Sequence, residues 1–305
     1  MFLVGCGSVS GHPDAPTADA PGSDAPRDAA NATCDPAGKF DAPAPLAGFM
    51  SAADETSVSL SPDERTVYLS SNDPATTTGA HDVYIAQRAS IADPFTGLMP
   101  LAAVNSPPAG PGGLEDYDAT VSADGKTLIL SSNRKPGEGY HLYVATRSTT
   151  LAAFSTPAPL LGVASPNVAD NDVQPSLTAD GQELWFTSNR NGNYDLFHAS
   201  IVNGSFTNLM PALELNSSAD EFMAALSGDR LTIYFSSKRG GTSDDIWTAH
   251  RSSTTDGFGA PAPVDELNTS GSELSDWLSP DNCRLYMRAS SANGDADIYV
   301  ATRRP

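Results

Sequence analysis

Across 305 residues the chain carries 37 Asp and Glu against 17 Lys and Arg, a formal net charge of −20. Residues 1–39 hold five Asp against Arg27 and Lys39, so −17 falls on the remainder. Such a surface repels phosphate backbones and anionic head groups, which argues against nucleic acid and against direct membrane binding. No apolar run approaches the length of a membrane-spanning helix.

The amino terminus opens with Leu3-Val4-Gly5-Cys6, which resembles a bacterial lipobox, and lipidation at Cys6 is the expectation. The charged segment and most of the apolar core of a signal peptide do not precede it. Residues 1–6 therefore read either as the truncated end of such a signal or as a chance cysteine. Asp14-Ala-Pro, Asp19-Ala-Pro and Asp24-Ala-Pro then recur every five residues, with almost no large apolar side chains between them. A segment of this kind buries too little surface to offset its ordering entropy, and its prolines hold it extended. Residues 7–39 read as a disordered tether, and 40–305 as the folded part. Gly7 and Ser8, with no aspartate after Cys6, fit an outer-membrane lipoprotein facing the periplasm or the exterior.

Within the folded part, five acids are each followed eight positions later by an aspartate that opens a turn. The pairs are Glu55/Asp63, Asp116/Asp124, Asp172/Asp180, Glu221/Asp229 and Glu273/Asp281. The turn aspartates lie 49 to 61 residues apart. A period of that size with strand patterning inside each unit points to a β-propeller, one four-stranded blade per repeat. The third unit shows the plan. Asp180-Gly181 supplies the positive φ of a tight hairpin, so residues 175–178 and 183–187 are predicted as paired strands. Residues 195–199 follow as a third strand. A fourth, interrupted by Pro211, belongs on an outer edge because proline cannot donate to a ladder. Aromatic and β-branched residues fill the corresponding runs in every unit, as a pleated, half-buried surface requires.

A Phe-x-x-Pro-x-Pro-Leu segment begins at Phe40, with related versions at Phe95, Phe154, Phe206 and Phe258. The first copy precedes any complete unit, and the fifth unit lacks an outer strand of its own. The economical assembly is an all-β, five-bladed β-propeller of four-stranded antiparallel blades, with the Phe40 strand completing the last blade. Closing the ring hides edges that would template aggregation.

Ser-Pro-Asp63-Glu64, Ser-Ala-Asp124-Gly125 and the Ser-Ser-Asn-Arg run ending at Arg134 resemble the WD40-like β-propeller repeat of the TolB carboxy-terminal domain. The resemblance spans residues 40–303 and implies the propeller fold. TolB-like domains usually have six blades, where five are counted here, so TolB's partners are not carried over.

Cys34 lies just before the Phe40 strand and Cys283 in the hairpin of the last unit. Ring closure by Phe40 would put both on one face, and an exported protein could join them in a disulfide.

Two sets of residues are candidates for a site. The recurrent acids Glu55, Asp116, Asp172, Glu221 and Glu273 start the innermost strands, where a carboxylate ring would suit Ca²⁺; the competing reading is that each caps backbone or a neighbouring blade. Asp118, Asp276 and Trp277 break the repeat on inner strands, and a Trp beside carboxylates suits a sugar ring or a cation. Trp277 filling an interblade gap is the plainer alternative. His81, His141, His198 and His250 have no metal-ligand spacing. Arg134, Arg190 and Arg239, which close Ser-Ser-Asn-Arg, Thr-Ser-Asn-Arg and Ser-Ser-Lys-Arg runs, are expected at solvated blade edges, with their basic groups available to pair with the acids. The leading expectation is a non-enzymatic, monomeric binding module of the cell envelope, recognising a protein, peptide or glycan and tied to the membrane only by lipid. The alternative is a carbohydrate-active enzyme using Asp118 and Asp276 with Glu221 or Glu273.

Overall fold

The computed structural model describes residues 34–49, 54–72, 81–107, 113–164, 169–290 and 296–304. Cys6 and the Asp-Ala-Pro tether lie outside these residues. The first strand, β1 (Ala44–Pro45), belongs to the last blade. Blade 1 comprises β2 (Glu55–Leu60), β3 (Thr66–Ser71), β4 (Asp82–Gln87) and β5 (Thr96–Pro100). Blade 2 comprises β6 (Asp116–Val121), β7 (Thr127–Ser132), β8 (His141–Thr146) and β9 (Ala158–Pro159). Blade 3 contains β10 (Asp172–Leu177), β11 (Glu183–Ser188), β12 (Asp195–Val202) and β13 (Ser205–Pro211). Blade 4 contains β14 (Glu221–Leu226), β15 (Thr232–Ser237), β16 (Asp245–His250) and β17 (Ala262–Pro263). Blade 5 is built from β18 (Glu273–Leu278), β19 (Arg284–Ser290) and β20 (Ala296–Thr302), with β1 as its outer strand. All pairings are antiparallel, and no helix occurs among the described residues. The protein is a five-bladed β-propeller closed by its N-terminal strand.

The hairpin between the first two strands of each blade is held by its aspartate. At Asp124 the Oδ1 atom accepts the Ser122 hydroxyl at 2.6 Å and the Lys126 N–H at 3.0 Å. Asp63, Asp180, Asp229 and Asp281 repeat both bonds. The next residue turns through positive φ in all five hairpins: Glu64, Gly125, Gly181, Arg230 and Asn282.

Blades pack through interblade cores such as Leu60, Val67 and Leu69 of blade 1 against Tyr286 and Ile298 of blade 5. Arginines that follow the third strands lock these seams. Arg88 stacks 4.4 Å over Phe95 and donates to the Tyr286 hydroxyl at 2.9 Å. Arg147 lies 4.2 Å over Phe154 and donates to Tyr68 at 3.0 Å, and Arg303 lies 4.2 Å over Phe40 and donates to Tyr234. Each guanidinium thus ties its own outer segment to an aromatic of the preceding blade.

Closure of the ring runs through Ala44 opposite Val300, Pro45 opposite Tyr299, and a bridge from Phe40 to Arg303. A disulfide joins Cys34 to Cys283, Cα atoms 5.7 Å apart. The Asp35 N–H donates to the Arg304 carbonyl at 2.9 Å. Residues 34–39, which composition assigns to the tether, are therefore packed against the last blade.

Candidate functional site

The five recurrent acids are buried, and each is held by partners of its own blade. Asp116 accepts Arg134 Nη2 at 2.5 Å and Asp172 accepts Arg190 Nη2 at 2.5 Å. Glu221 accepts Ser217 Oγ at 2.6 Å, Ser237 Oγ at 2.8 Å and Arg239 Nη2 at 3.0 Å. Glu273 accepts the Thr269 hydroxyl and its N–H, and Glu55 accepts the Ser71 hydroxyl at 3.4 Å. Their backbone N–H groups reach across the seam: those of Asp116, Asp172, Glu221 and Glu273 donate to carbonyls of His81, Tyr140, Tyr194 and Asp244. The carboxylates are thus engaged within their own blades while their N–H groups cap the neighbouring blade, which matches the structural reading of the recurrent acids. Among the described residues no group of three or more His, Cys, Asp or Glu is arranged for a metal ion. Arg134, Arg190 and Arg239, expected at solvated edges, have side chains only 10–16% exposed, since they neutralise these acids.

Asp118 and Asp276, by contrast, converge on the axis. They line one cavity with Ser57, Ser59, Gln174, Met223 and Trp277. A bulge in each inner strand places them there: Asp118, Gln174 and Met223 sit at positive φ (49°, 57° and 53°), a conformation that costs a non-glycine residue energy. Their strained amides are accepted by hydroxyls of the preceding blade, namely Ser70, Ser131 and Thr187. The corresponding position of blade 5 is Arg288. Its Nε lies 3.6 Å from Asp276 Oδ1 and its Nη2 lies 2.9 Å from Met223 Sδ. Sequence reading missed Arg288, although its departure from Ser70, Ser131, Thr187 and Ser236 was there to be seen.

The Asp276 side chain is 1% exposed, and neither carboxylate oxygen has a hydrogen bond of normal geometry. Burial pushes its pKa up to about 7; the Arg288 charge offsets part of this, and Asp118 adds to it. Burial also raises Asp118, with Arg288 opposing. Two acids against one guanidinium leave one negative charge, so the cluster favours retaining a proton. Trp277 packs edge-on against Tyr286, ring centroids 5.6 Å apart, while lining the cavity. Glu221 and Glu273 do not line it.

A second group, also missed in the sequence, gathers where the inner strands begin. His81 lies 4.7 Å from Tyr117 and Tyr117 lies 5.4 Å from Tyr140, centroid to centroid. Glu115 accepts the Tyr140 hydroxyl and lies 3.5 Å from His81 Nδ1. The His81 bond holds the Glu115 pKa down at about 2 against its partial burial, and the two tyrosines assist. Further round, Tyr194 lies 5.2 Å from Phe222. The signal was the residue after each recurrent acid: Thr56, Tyr117, Val173, Phe222 and Leu274. Away from this group, His198 stacks on Trp185 at 4.7 Å, His250 is bonded to Thr232 at 3.0 Å, and His141 lies 3.8 Å from Glu138 and from Asp172.

No protein-family model and no curated protein matches the chain. Among solved structures it is similar to an α-L-arabinofuranosidase from Podospora anserina. That match has a TM-score of 0.54 and 11% identity, and covers 90% of this chain and 99% of that one. It is also similar to a thermostable family-43 glycoside hydrolase, with a TM-score of 0.55 and 10% identity, covering 85% of this chain and 91% of that one. TolB from Acinetobacter baumannii aligns with a TM-score of 0.48 and 14% identity over 83% of this chain and 56% of TolB. The chain thus spans little more than half of TolB's length. At such identities the two glycosidase likenesses establish a shared propeller fold and leave activity open.

Proposed function

We propose that this protein is a non-catalytic β-propeller that binds a partner at the face where its inner strands begin, and that it works in the bacterial cell envelope. The observation that carries the reading is the size of the axial cavity. Its volume is about 20 Å³, room for about one water molecule. A cavity of that volume leaves little room for a glycosidic bond beside Asp118 and Asp276, and Glu221 and Glu273 are tied to their own blades. The rings of Tyr117, Tyr140, Tyr194 and Phe222 are half-buried, offering amphipathic area suited to recognition. The Cys34–Cys283 disulfide supports an exported protein, and the lipobox-like Leu3-Val4-Gly5-Cys6 supports lipid anchoring.

One observation favours a second reading, a glycoside hydrolase: Asp118 and Asp276 face a common cavity with raised carboxyl pKa values, as a general acid requires. Incubating the protein with aryl arabinofuranosides, aryl xylosides and arabinoxylan separates the two. The binding reading expects no sugar release. Release by the wild type that disappears in Asp118→Asn and Asp276→Asn would replace it with the hydrolase. Labelling cells with a radioactive fatty acid tests the anchor, with incorporation expected in the wild type and none in Cys6→Ser.

A further inference from the structure

Blade 4 contains a lysine seated in an aromatic and acidic cage made by the protein itself. Lys238 Nζ lies 5.5 Å from the Phe222 ring centroid, 3.6 Å from the Asp220 carboxylate and 4.0 Å from that of Asp244. Tyr194 of blade 3 backs the Phe222 ring. Each of these residues holds a fixed place in the repeat. Phe222 follows the buried acid Glu221, Asp220 precedes it, Asp244 precedes the third strand, and Tyr194 precedes the third strand of the blade before.

Blade 2 rebuilds the arrangement. Tyr117 stands at the Phe222 position, Glu115 at that of Asp220, Tyr140 at that of Asp244, and His81 of blade 1 at that of Tyr194. The ring contacts recur, with His81 backing Tyr117 at 4.7 Å where Tyr194 backs Phe222 at 5.2 Å. The residue at the Lys238 position is Asn133, which is uncharged; its Oδ1 accepts the Glu115 N–H at 2.7 Å. Blade 2 therefore has the cage without the lysine that fills it in blade 4, and a second tyrosine replaces one carboxylate. The chain as a whole carries a net charge of −20, which draws cations towards its surface.

We propose that the Tyr117, Tyr140, Glu115 and His81 cage receives a lysine or arginine side chain from a partner polypeptide. The inference rests on the binding-module reading and names the chemistry of its partner. Ring faces attract the cation through their quadrupole, and the carboxylate supplies the countercharge. Glu115 remains ionised throughout the neutral range, because His81 and the tyrosines stabilise its anion.

The test is fluorescence anisotropy of a fluorescein-labelled octalysine peptide titrated with the full chain at pH 7.5 and about 0.1 M salt, where the Debye length is about 10 Å. Tyr117→Leu and Glu115→Gln are expected to weaken binding by about fivefold to thirtyfold, the range of a desolvated cation–π contact. Asp256→Asn, an exposed acid in a blade 4 turn, changes the net charge equally and is expected to have little effect. Lys238→Ala vacates the blade 4 cage and is expected to add a second binding event. Circular dichroism confirms that each variant is folded. Equal losses in Glu115→Gln and Asp256→Asn would reduce the effect to the general acidic field and overturn the cage. Displacement of the peptide by uncharged xylohexaose, lost in Tyr117→Leu but indifferent to Glu115→Gln, would overturn it in favour of sugar stacking. Absence of octalysine binding by a folded wild type also overturns it, whereas the binding-module reading falls only if the glycosidase assays are positive.

Discussion

Arg284 of blade 5 clamps Glu64 of blade 1, its Nε and Nη2 atoms 2.7 and 2.6 Å from the carboxylate oxygens, while the Tyr286 hydroxyl donates to the same group at 2.7 Å. Glu64 is the positive-φ residue of its hairpin, and Arg284 opens the second strand of the preceding blade. The same pair of positions is Arg230 with Glu183 at the seam between blades 3 and 4, with the charges reversed. At the seam between blades 1 and 2 the pair is Gly125 with Thr66, and a groove of about 450 Å³ opens there. Glu64→Ala leaves Arg284 and Tyr286 facing an empty site. It is expected to lower stability by about 3 kcal/mol, the scale for breaking a buried pair. Urea unfolding of Glu64→Ala and of Glu64→Met/Arg284→Leu checks this, and the double variant should recover most of the loss.

The disulfide spans 249 residues of sequence and clips the closing strand to the last hairpin. Cross-linking so long a loop restricts the unfolded ensemble. Cys34→Ser/Cys283→Ser is expected to cost about 2–5 kcal/mol. Reductant added to the wild type should lower its urea midpoint to that of the double variant and leave the double variant unmoved.

Asp276 gives stability a specific pH dependence. Its folded pKa of about 7 lies above the ordinary carboxylate value of 3.8. Between those values the native state holds more protons than the unfolded chain, so stability falls as pH rises from about 4 to 7 and then levels off. Burial raises Asp82 as well, to about 6, with Asp116 adding to it, and this deepens the same fall. Glu115 and the turn aspartates Asp63, Asp124, Asp229 and Asp281 are shifted the other way and contribute their change below this window. Asp276→Asn is expected to flatten the decline and to exceed the wild type at pH 8, by an amount of the order of a few kcal/mol. Guanidinium unfolding at pH 5 and pH 8 measures it.

Because the recurrent acids are paired within the fold, Ca²⁺ and EDTA are each expected to leave the melting temperature unchanged. Arg134→Ala is expected to be severe, since it strands the buried Asp116 carboxylate; a loss of about 3–5 kcal/mol follows. Arg134→Ala/Asp116→Asn should restore part of it. A Ca²⁺-dependent rise in melting temperature would reopen the metal reading.

The blade count, the hairpin at each turn aspartate and the closing role of the Phe40 strand were legible in the sequence. They rest on local rules repeated five times: an Asp that accepts its own hairpin's donors, a residue tolerant of positive φ, and alternating apolar residues. Asp118 and Asp276 were legible as departures from that repeat. Arg288 escaped because a single basic residue in a Ser position reads as surface until the ring brings it to the axis.

Local sequence thus determined the strands and their order within each blade, because these depend on short-range hydrogen bonding and side-chain alternation. The displaced copy of the outer-strand segment at Phe40 made the closure legible, although its partner strand lies about 250 residues away. Tertiary structure alone decided what the acids do. Asp116 and Asp276 are both carboxylates on inner strands, yet one meets Arg134 of its own blade and the other an axis shared with Asp118 and Arg288. Arg134 and Arg288 meet their acids across a single hairpin, 18 and 12 positions away, whereas Asp118 lies 158 positions from Asp276. That meeting is set by how five twisted sheets converge around one axis, a long-range geometry that no local pattern encodes.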